Sequence, residues 1–325
     1  MRSLFGVLML IAISFGGLSA VSRAQESYPN RALTIVVPVP PGGAADFIAR
    51  RLGQNLSETL GQPVIISNRG GASGTIASEV VAKSAADGYT LLLNSITTHG
   101  IGPHLFARLP YDPVGDFTPI ARVAELPLIM TINSARPMQS AADVVAYAKA
   151  NPGKLSFASS GNGGAPHLAG ELFKVVSGID MVHVPYRGSA PAVIDVAAGR
   201  VDIMFDAAPS LLPMIQAGKL RPLASASLSR HPLLPDVPTF SELGVTGIEI
   251  SLWYGLLAPA KTPSPAVERL NAELRTILGT PAVQESFAKE GAVPSWDVPS
   301  DYAAFMRAES ARWGAIVAKN NIKIE

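Results

Sequence analysis

Leu33-Thr34-Ile35-Val36-Val37-Pro38-Val39-Pro40-Pro41-Gly42-Gly43-Ala44-Ala45-Asp46 is the stretch that decides the fold. The apolar, β-branched run Leu33–Val37 suits a strand buried on both faces. The prolines that follow fix φ and stiffen the turn, and helical patterning starts at Ala45. The glycines leave backbone N–H groups uncovered at the start of that helix. These donors have no intrahelical partner, and together with the helix dipole they favour an anion. No P-loop lysine follows, so a phosphate-transfer site is a poor match and a small carboxylate fits better. An ordinary strand-to-helix turn satisfies the same residues.

Strand-like and helical patterns alternate outward from this point. The strands are expected at Leu33–Val37, Val64–Ser67, Tyr89–Asn94, Leu128–Ile132, Leu155–Ala158, Met181–Val184, Val201–Phe205 and Leu223–Ser225. The helices are expected at Ala45–Leu60, Gly74–Ser84, Ser140–Ala150, Gly164–Ser177, Ala190–Gly199 and Pro209–Ala217. Alternation of this kind implies an α/β fold of parallel sheets covered by helices, with ligands at the carboxyl ends of the strands. The connections there are rich in Gly, Ser, Thr and Asn: Asn68-Arg69-Gly70-Gly71-Ala72-Ser73-Gly74, Asn94-Ser95-Ile96-Thr97-Thr98, Ser159-Ser160-Gly161-Asn162-Gly163-Gly164 and Tyr186-Arg187-Gly188-Ser189. Such loops offer amides and hydroxyls to a ligand, although the same residues also serve as helix caps. Three further helices follow, from Pro265 to Ile277, Pro281 to Gly291 and Pro299 to Lys319, and are expected to pack back on the first domain.

The N-terminus reads as a secretory signal peptide. Arg2 precedes an apolar run from Leu4 to Leu18, and Ser22-Arg23-Ala24 offers a small-x-small cleavage site after Ala24. The run is short for a spanning helix, so the mature chain is expected to be exported without stable membrane insertion. With no cysteine in the sequence there are no disulfides, thiolate metal sites or lipidated N-terminal cysteine. An exported protein that nothing tethers to a membrane stays with the cell only in a closed compartment, which points to the periplasm. The sequence holds 26 basic and 25 acidic residues, and loss of Arg2 and Arg23 turns the net charge from +1 to −1. No basic field for nucleic acid exists, and local donors would have to hold an anionic ligand. His99, His104, His167, His183 and His231 lack zinc-site spacing, so no metal is expected. The Gly161-x-Gly163 start places Pro166 at the third fingerprint position, so no dinucleotide cofactor is expected either.

Ordered short motifs across nearly the whole mature chain carry a family resemblance. They include Pro40-Pro41-Gly42-Gly43-x-x-Asp46, Leu60-Gly61-Gln62-Pro63-Val64, Asp87-Gly88-Tyr89-Thr90-Leu91, Leu109-Pro110-Tyr111-Asp112-Pro113, Asn151-Pro152-Gly153-Lys154-Leu155, His183-Val184-Pro185-Tyr186-Arg187-Gly188, Ala217-Gly218-Lys219-Leu220-Arg221, Leu234-Pro235-Asp236-Val237-Pro238-Thr239 and Trp253-Tyr254-Gly255. The chain resembles the periplasmic substrate-binding proteins of tripartite tricarboxylate transporters, the Bug-type receptors. The resemblance implies a type II periplasmic binding protein fold, with two Rossmann-like lobes and a ligand cleft between them. It implies lobe 1 at residues 28–127 and 226–325, lobe 2 at 128–225, and hinge crossings near 124–130 and 222–228. It further implies a monomer that delivers a small carboxylate to a two-subunit membrane permease driven by an ion gradient. Val39 stands where the family commonly has an aromatic residue, and Gly70 where it often has proline. The first is expected to widen the pocket and the second to loosen a cleft loop.

The candidate ligand residues are Val39, Gly43, Ala44, Ala45 and Asp46 in the first loop, Asn68 in the second, and Ser95 and Thr97 in the third. Ser160, Gly161, Gly164 and His167 come from the fourth, Tyr186, Arg187 and Gly188 from the fifth, and Asp206 from the end of the Val201–Phe205 strand. Asp46 reads either as a ligand-shell contact or as an acid favoured in a first helical turn. Ser160 reads as a second anion clamp or a plain N-cap, and His167 as a ligand donor or a structural ring. Arg187 suits a second carboxylate, solvent or an interdomain bridge; the resemblance favours this loop's backbone over the guanidinium. Asp206 suits an amine or hydroxyl of the ligand, or an anchor for the hinge. A sensor subunit presenting its loaded form to a signalling partner is a second reading. A periplasmic enzyme acting on small acids is a third, for which no activated nucleophile, metal site or tuned acid pair is present.

Overall fold

The computed structural model describes residues 28–322. The expected signal peptide and its cleavage site lie outside the described residues. The chain runs β1 (Leu33–Val37), α1 (Ala44–Leu60), β2 (Val64–Asn68), a 3-10 turn (Ala72–Gly74), α2 (Thr75–Ala82), β3 (Thr90–Ser95), a π-helical turn (Ile96–Ile101), α3 (Gly102–Leu105) and β4 (Phe117–Asn133). It continues through α4 (Ala141–Ala150), β5 (Ser156–Ser159), α5 (Ala165–Ser177), β6 (Val182–Pro185), α6 (Ser189–Ala197), β7 (Ile203–Ala207), α7 (Ala208–Gln216) and β8 (Leu220–Ser225). β9 (Ser251–Pro259), α8 (Ser264–Gly279), α9 (Pro281–Lys289), β10 (Val293–Pro294) and α10 (Pro299–Lys319) complete it.

The strands follow the order β2-β1-β3-β9-β4-β7-β5-β6, with β8 and β10 also paired to β4. β1 is buried as its sequence demands, with Leu33, Ile35 and Val37 fully inaccessible. It pairs in parallel with β2 and β3. The other parallel pairs are β5 with β6 and β5 with β7. The expectation of wholly parallel sheets does not hold. β9 runs antiparallel to β3 and β4, and β4 runs antiparallel to β7 and β8.

β4 is also far longer than the expected Leu128–Ile132 segment. Pro119 and Pro127 disguise its first part, because proline removes a ladder donor and reads against a central strand. The ladder absorbs irregularity with register shifts between Pro119 and Ala121, between Arg122 and Ala124, and between Met130 and Thr131. β9 was not expected at all. Leu252 to Ala258 is buried throughout, so it shows no polar alternation, and Gly255 interrupts it.

The first part of β4 pairs with β9 and the last part with β7 and β8, so one strand belongs to both halves of the sheet. The second passage between the halves runs beside it: Ala226 N–H donates to the Leu128 carbonyl (2.8 Å) and Ile250 N–H to the Ala226 carbonyl (2.9 Å).

The C-terminal helices cover the first half. α10 buries Tyr302 and Trp313 completely. Tyr302 donates to Asn94 Oδ1 at the end of β3 (2.7 Å), and Trp253 and Trp313 both donate to Glu309 Oε2 (3.0 and 3.3 Å). Gly255 lets α10 sit this close, since a Cβ there would lie 2.1 Å from the Tyr302 hydroxyl oxygen. Gly255→Ala is therefore expected to lower stability by about 1–3 kcal/mol through overpacking, read by urea unfolding of the two proteins.

Candidate ligand-binding site

The carboxyl ends of β1, β2, β3, β5, β6 and β7 meet at one cleft of about 790 Å³. Several helices start there on glycine: α1 at Gly43, α2 at Gly74, α5 at Gly164 and α6 at Gly188. All four residues line the cleft, and none of these starts carries a side-chain cap. The outer helix α4 differs, because its Ser140 accepts from Asp143 N–H in a capping box. The glycine starts carry no cap from their own N-cap residue, although Thr97 Oγ1 accepts from Ala165 N–H of α5; N-termini of this kind, on both sides of one cavity, form an anion-binding arrangement.

All the candidate residues except Asp46 and His167 line this cleft. Asp46 lies behind the first loop. Its carboxylate accepts from Gly42 N–H (3.1 Å), Arg50 Nε (3.0 Å) and Asn68 Nδ2 (2.9 Å). Burial pushes its pKa up, but the bonds from Arg50, Asn68 and Gly42 outweigh that and hold it below the usual carboxylate range. Asn68 also donates to the Val39 carbonyl (3.2 Å), so the Asp46–Asn68 pair fixes the loop that presents the amides.

His167 likewise braces a loop. Its Nδ1 accepts from Gly163 N–H (3.0 Å), and its ring stacks on His183 with centroids 3.8 Å apart. His183 Nε2 shares a hydrogen bond with Ser159 Oγ (2.7 Å). Burial pushes His167 down to about 3, with help from His183 and Lys174, and pushes His183 down to about 4. Both rings are thus neutral at pH 7 and support the Ser159–Gly164 loop from behind.

The two sides of the cleft touch. Ser73 Oγ donates to the Asn162 carbonyl, and Ala165 N–H donates to Thr97 Oγ1 (3.3 Å). The loop carrying Ser160 is tied to the next one, since Gly188 N–H donates to the Ser160 carbonyl (3.1 Å). Arg187 is exposed, while Tyr186 donates to Asp195 Oδ2 (2.6 Å). Asp206 sits at the buried end of the cleft, 2 % exposed, with Oδ1 accepting from Ala207 N–H (2.7 Å).

Gly70, the second departure from the family pattern, has a steric account. A Cβ there would lie 2.7 Å from Pro40 Cδ, so the glycine lets the first two loops pack together. The cleft is also lined by Phe106, Ser189, Leu252 and Tyr254, which were not singled out. Ser189 and Tyr254 had a signal in the quoted motifs; Phe106 and Leu252 had none. Among the described residues no group of His, Cys, Asp or Glu is placed to hold a metal ion.

An α/β sheet whose halves share one strand, with an amide-lined cleft at its strand ends, is the architecture of a solute-binding protein. The chain belongs to the tripartite tricarboxylate transporter receptor family, whose model matches residues 48–322. BugT of Bordetella pertussis is 37% identical over 316 residues, spanning 97% of this chain and 97% of its own length. The structure of an R. palustris protein with adipate superposes with a TM-score of 0.89 at 38% identity, covering 91% of this chain and 99% of the other. MatC from Rhodopseudomonas palustris with bound malate gives 0.84 at 34% identity, covering 89% and 100%. The family consists of binding receptors, so the chain is not an enzyme.

Asp46→Ala removes one acceptor from three donors. It is expected to cost about 1–3 kcal/mol of stability, measurable by denaturant titration against the parent. An unchanged unfolding midpoint would show that the Asp46 network does not hold the loop.

Proposed function

We propose that this chain is an exported receptor of the periplasm that captures a small carboxylate and delivers it to a two-subunit permease of the tripartite tricarboxylate class. The observation that carries this reading is the set of glycine-started helix N-termini that face one cleft from both halves of the fold. Adipate and malate in related structures support the ligand class. The signal-peptide pattern supports export.

Capture proceeds by closure of lobe 2 (residues 128–225) on lobe 1 (residues 28–127 and 226–325). The hinges lie near 124–130 and 222–228, where the β4 ladder shifts register and Ala226 bonds to Leu128. The Gly43, Ala44 and Ala45 amides form the clamp of lobe 1, and Ser160 and its neighbouring amides form that of lobe 2. Closure excludes water and strengthens these bonds, and bridging waters adapt the spacing to the ligand. Ser73 with Asn162, and Thr97 with Ala165, latch the closed form.

A thermal-shift screen of the refolded chain from Gln25 tests the reading with succinate, malate, adipate, citrate, glutamate and benzoate. A ligand at about 100 times its Kd adds roughly 2.7 kcal/mol and raises Tm by several degrees. A folded protein that responds to no acid in the panel would sink the carboxylate assignment. Ser160→Asp places an anion in the clamp and is expected to weaken binding of the active acid by at least about tenfold, roughly 1.4 kcal/mol. Unchanged affinity would remove Ser160 from the clamp.

A further inference from the structure

Asp206 is an anomaly in a cleft built for anions. It lines the cavity from the end of β7, yet its side chain is almost wholly buried. Its Oδ1 is occupied by Ala207 N–H, while Oδ2 has no hydrogen-bond partner. The Ser189 and Ser210 hydroxyls approach it and favour its ionised form, but neither closes a hydrogen bond on Oδ2. A buried carboxylate oxygen with no donor is costly when ionised.

The surroundings offer no counter-charge. Burial raises the Asp206 pKa to about 6, and no cation contributes to that value. From the packed elements, β9 presents the Tyr254 hydroxyl, while α6 and α7 present only Ser189 and Ser210. Burial, with Asp206 adding to it, pushes the Tyr254 pKa up, so Tyr254 stays neutral and is no counter-ion. Arg187 stands exposed on the β6–α6 loop. His183 on β6 and His167 on α5 are neutral through the physiological range. Tyr186 is pushed up to about 12. Among the cleft-lining groups with a shifted pKa, Asp206 is thus the one that titrates near neutrality.

Two carboxylates brought together in a desolvated site cannot both stay ionised, and a shared proton turns their repulsion into a hydrogen bond. We propose that Asp206 takes up a proton as the cleft fills and donates it to a carboxylate oxygen of a dicarboxylate ligand. The proton comes from solvent, no covalent bond to the ligand is made, and it returns to solvent on release. This inference rests on the receptor reading above and narrows its ligand to a diacid whose capture is proton-coupled. An ammonium-bearing ligand would do the reverse, since it would hold Asp206 ionised and favour higher pH.

The sign follows from the proton count. The complex holds more protons than the free receptor, so affinity falls as pH rises from about 6 toward the higher pKa of the bound state. The test is isothermal titration calorimetry at pH 7 in two buffers of different ionisation enthalpy, which counts protons taken up per ligand bound. The probe is whichever of succinate, malate and adipate raises Tm most; all three are fully ionised at that pH.

The wild-type protein is expected to take up close to one proton per diacid, and Kd is expected to rise up to about tenfold per pH unit between pH 6.5 and 8.5. Asp206→Asn keeps a donor but cannot titrate, so any binding it retains should occur without proton uptake. No uptake by wild type, net release, or undiminished uptake by Asp206→Asn overturns the proposal and leaves the receptor reading intact. Binding of a monoacid but of no diacid overturns the proposal and leaves the receptor reading intact. No binding by any acid of the panel removes the carboxylate assignment, and this inference with it.

Discussion

The pairing of β4 with β9 is the constraint on which the rest of the structure depends. β4 runs from Phe117 to Asn133 and is hydrogen-bonded to β9 in its first part and to β7 and β8 in its last. A single strand that serves two half-sheets ties their positions together, because a slip of one residue would turn its buried face outward. The ladder takes up irregularity by register shifts in both parts of β4. Strands on either side then deliver their carboxyl ends, and the helix starts beyond them, to the same cleft.

The treatment of polar groups differs between the cleft and the rest of the surface. Away from the cleft, Ser140 closes α4 and Thr280 closes α9, while α8 and α10 start on Pro263 and Val298 without a side-chain cap. Around the cleft, several polar side chains brace the loops. Asp46, Asn68 and Arg50 fix the first loop, and the stacked His167 and His183 support the loop from Ser159 to Gly164. The Asp46–Arg50 ion pair thus stands behind the amides, while Arg187 and Asp206 line the cleft.

The sequence is legible where local chemistry is decisive. The run from Leu33 to Asp46 could hardly be read other than as strand, turn and helix, because β-branched residues, prolines and glycines each narrow the backbone's choices. β9 was hidden because total burial erases alternation, and the first part of β4 was hidden by Pro119 and Pro127. The loops of the cleft were legible from their small and polar residues. The direction of a side chain was not: Asp46 and His167 belong to the right loops, yet they point into bonding networks behind them. Phe106 and Leu252 reach the cleft through contacts distant in sequence, which no local pattern encodes.

A grip made of main-chain groups has an unusual tolerance. Its donors are present whatever the side chains are, so on the proposed reading Val39, Phe106 and Leu252 can change the space around a guest without removing the donors for its acidic end. The fragile positions are instead those where the backbone needs a shape that only glycine adopts readily, such as Gly74 (φ +89°) and Gly188 (φ +110°). Exchange of apolar lining residues therefore alters the cleft without touching the amides, with the glycines as the fixed framework. A saturation map of the cleft would show intolerance at residues that carry no side chain at all.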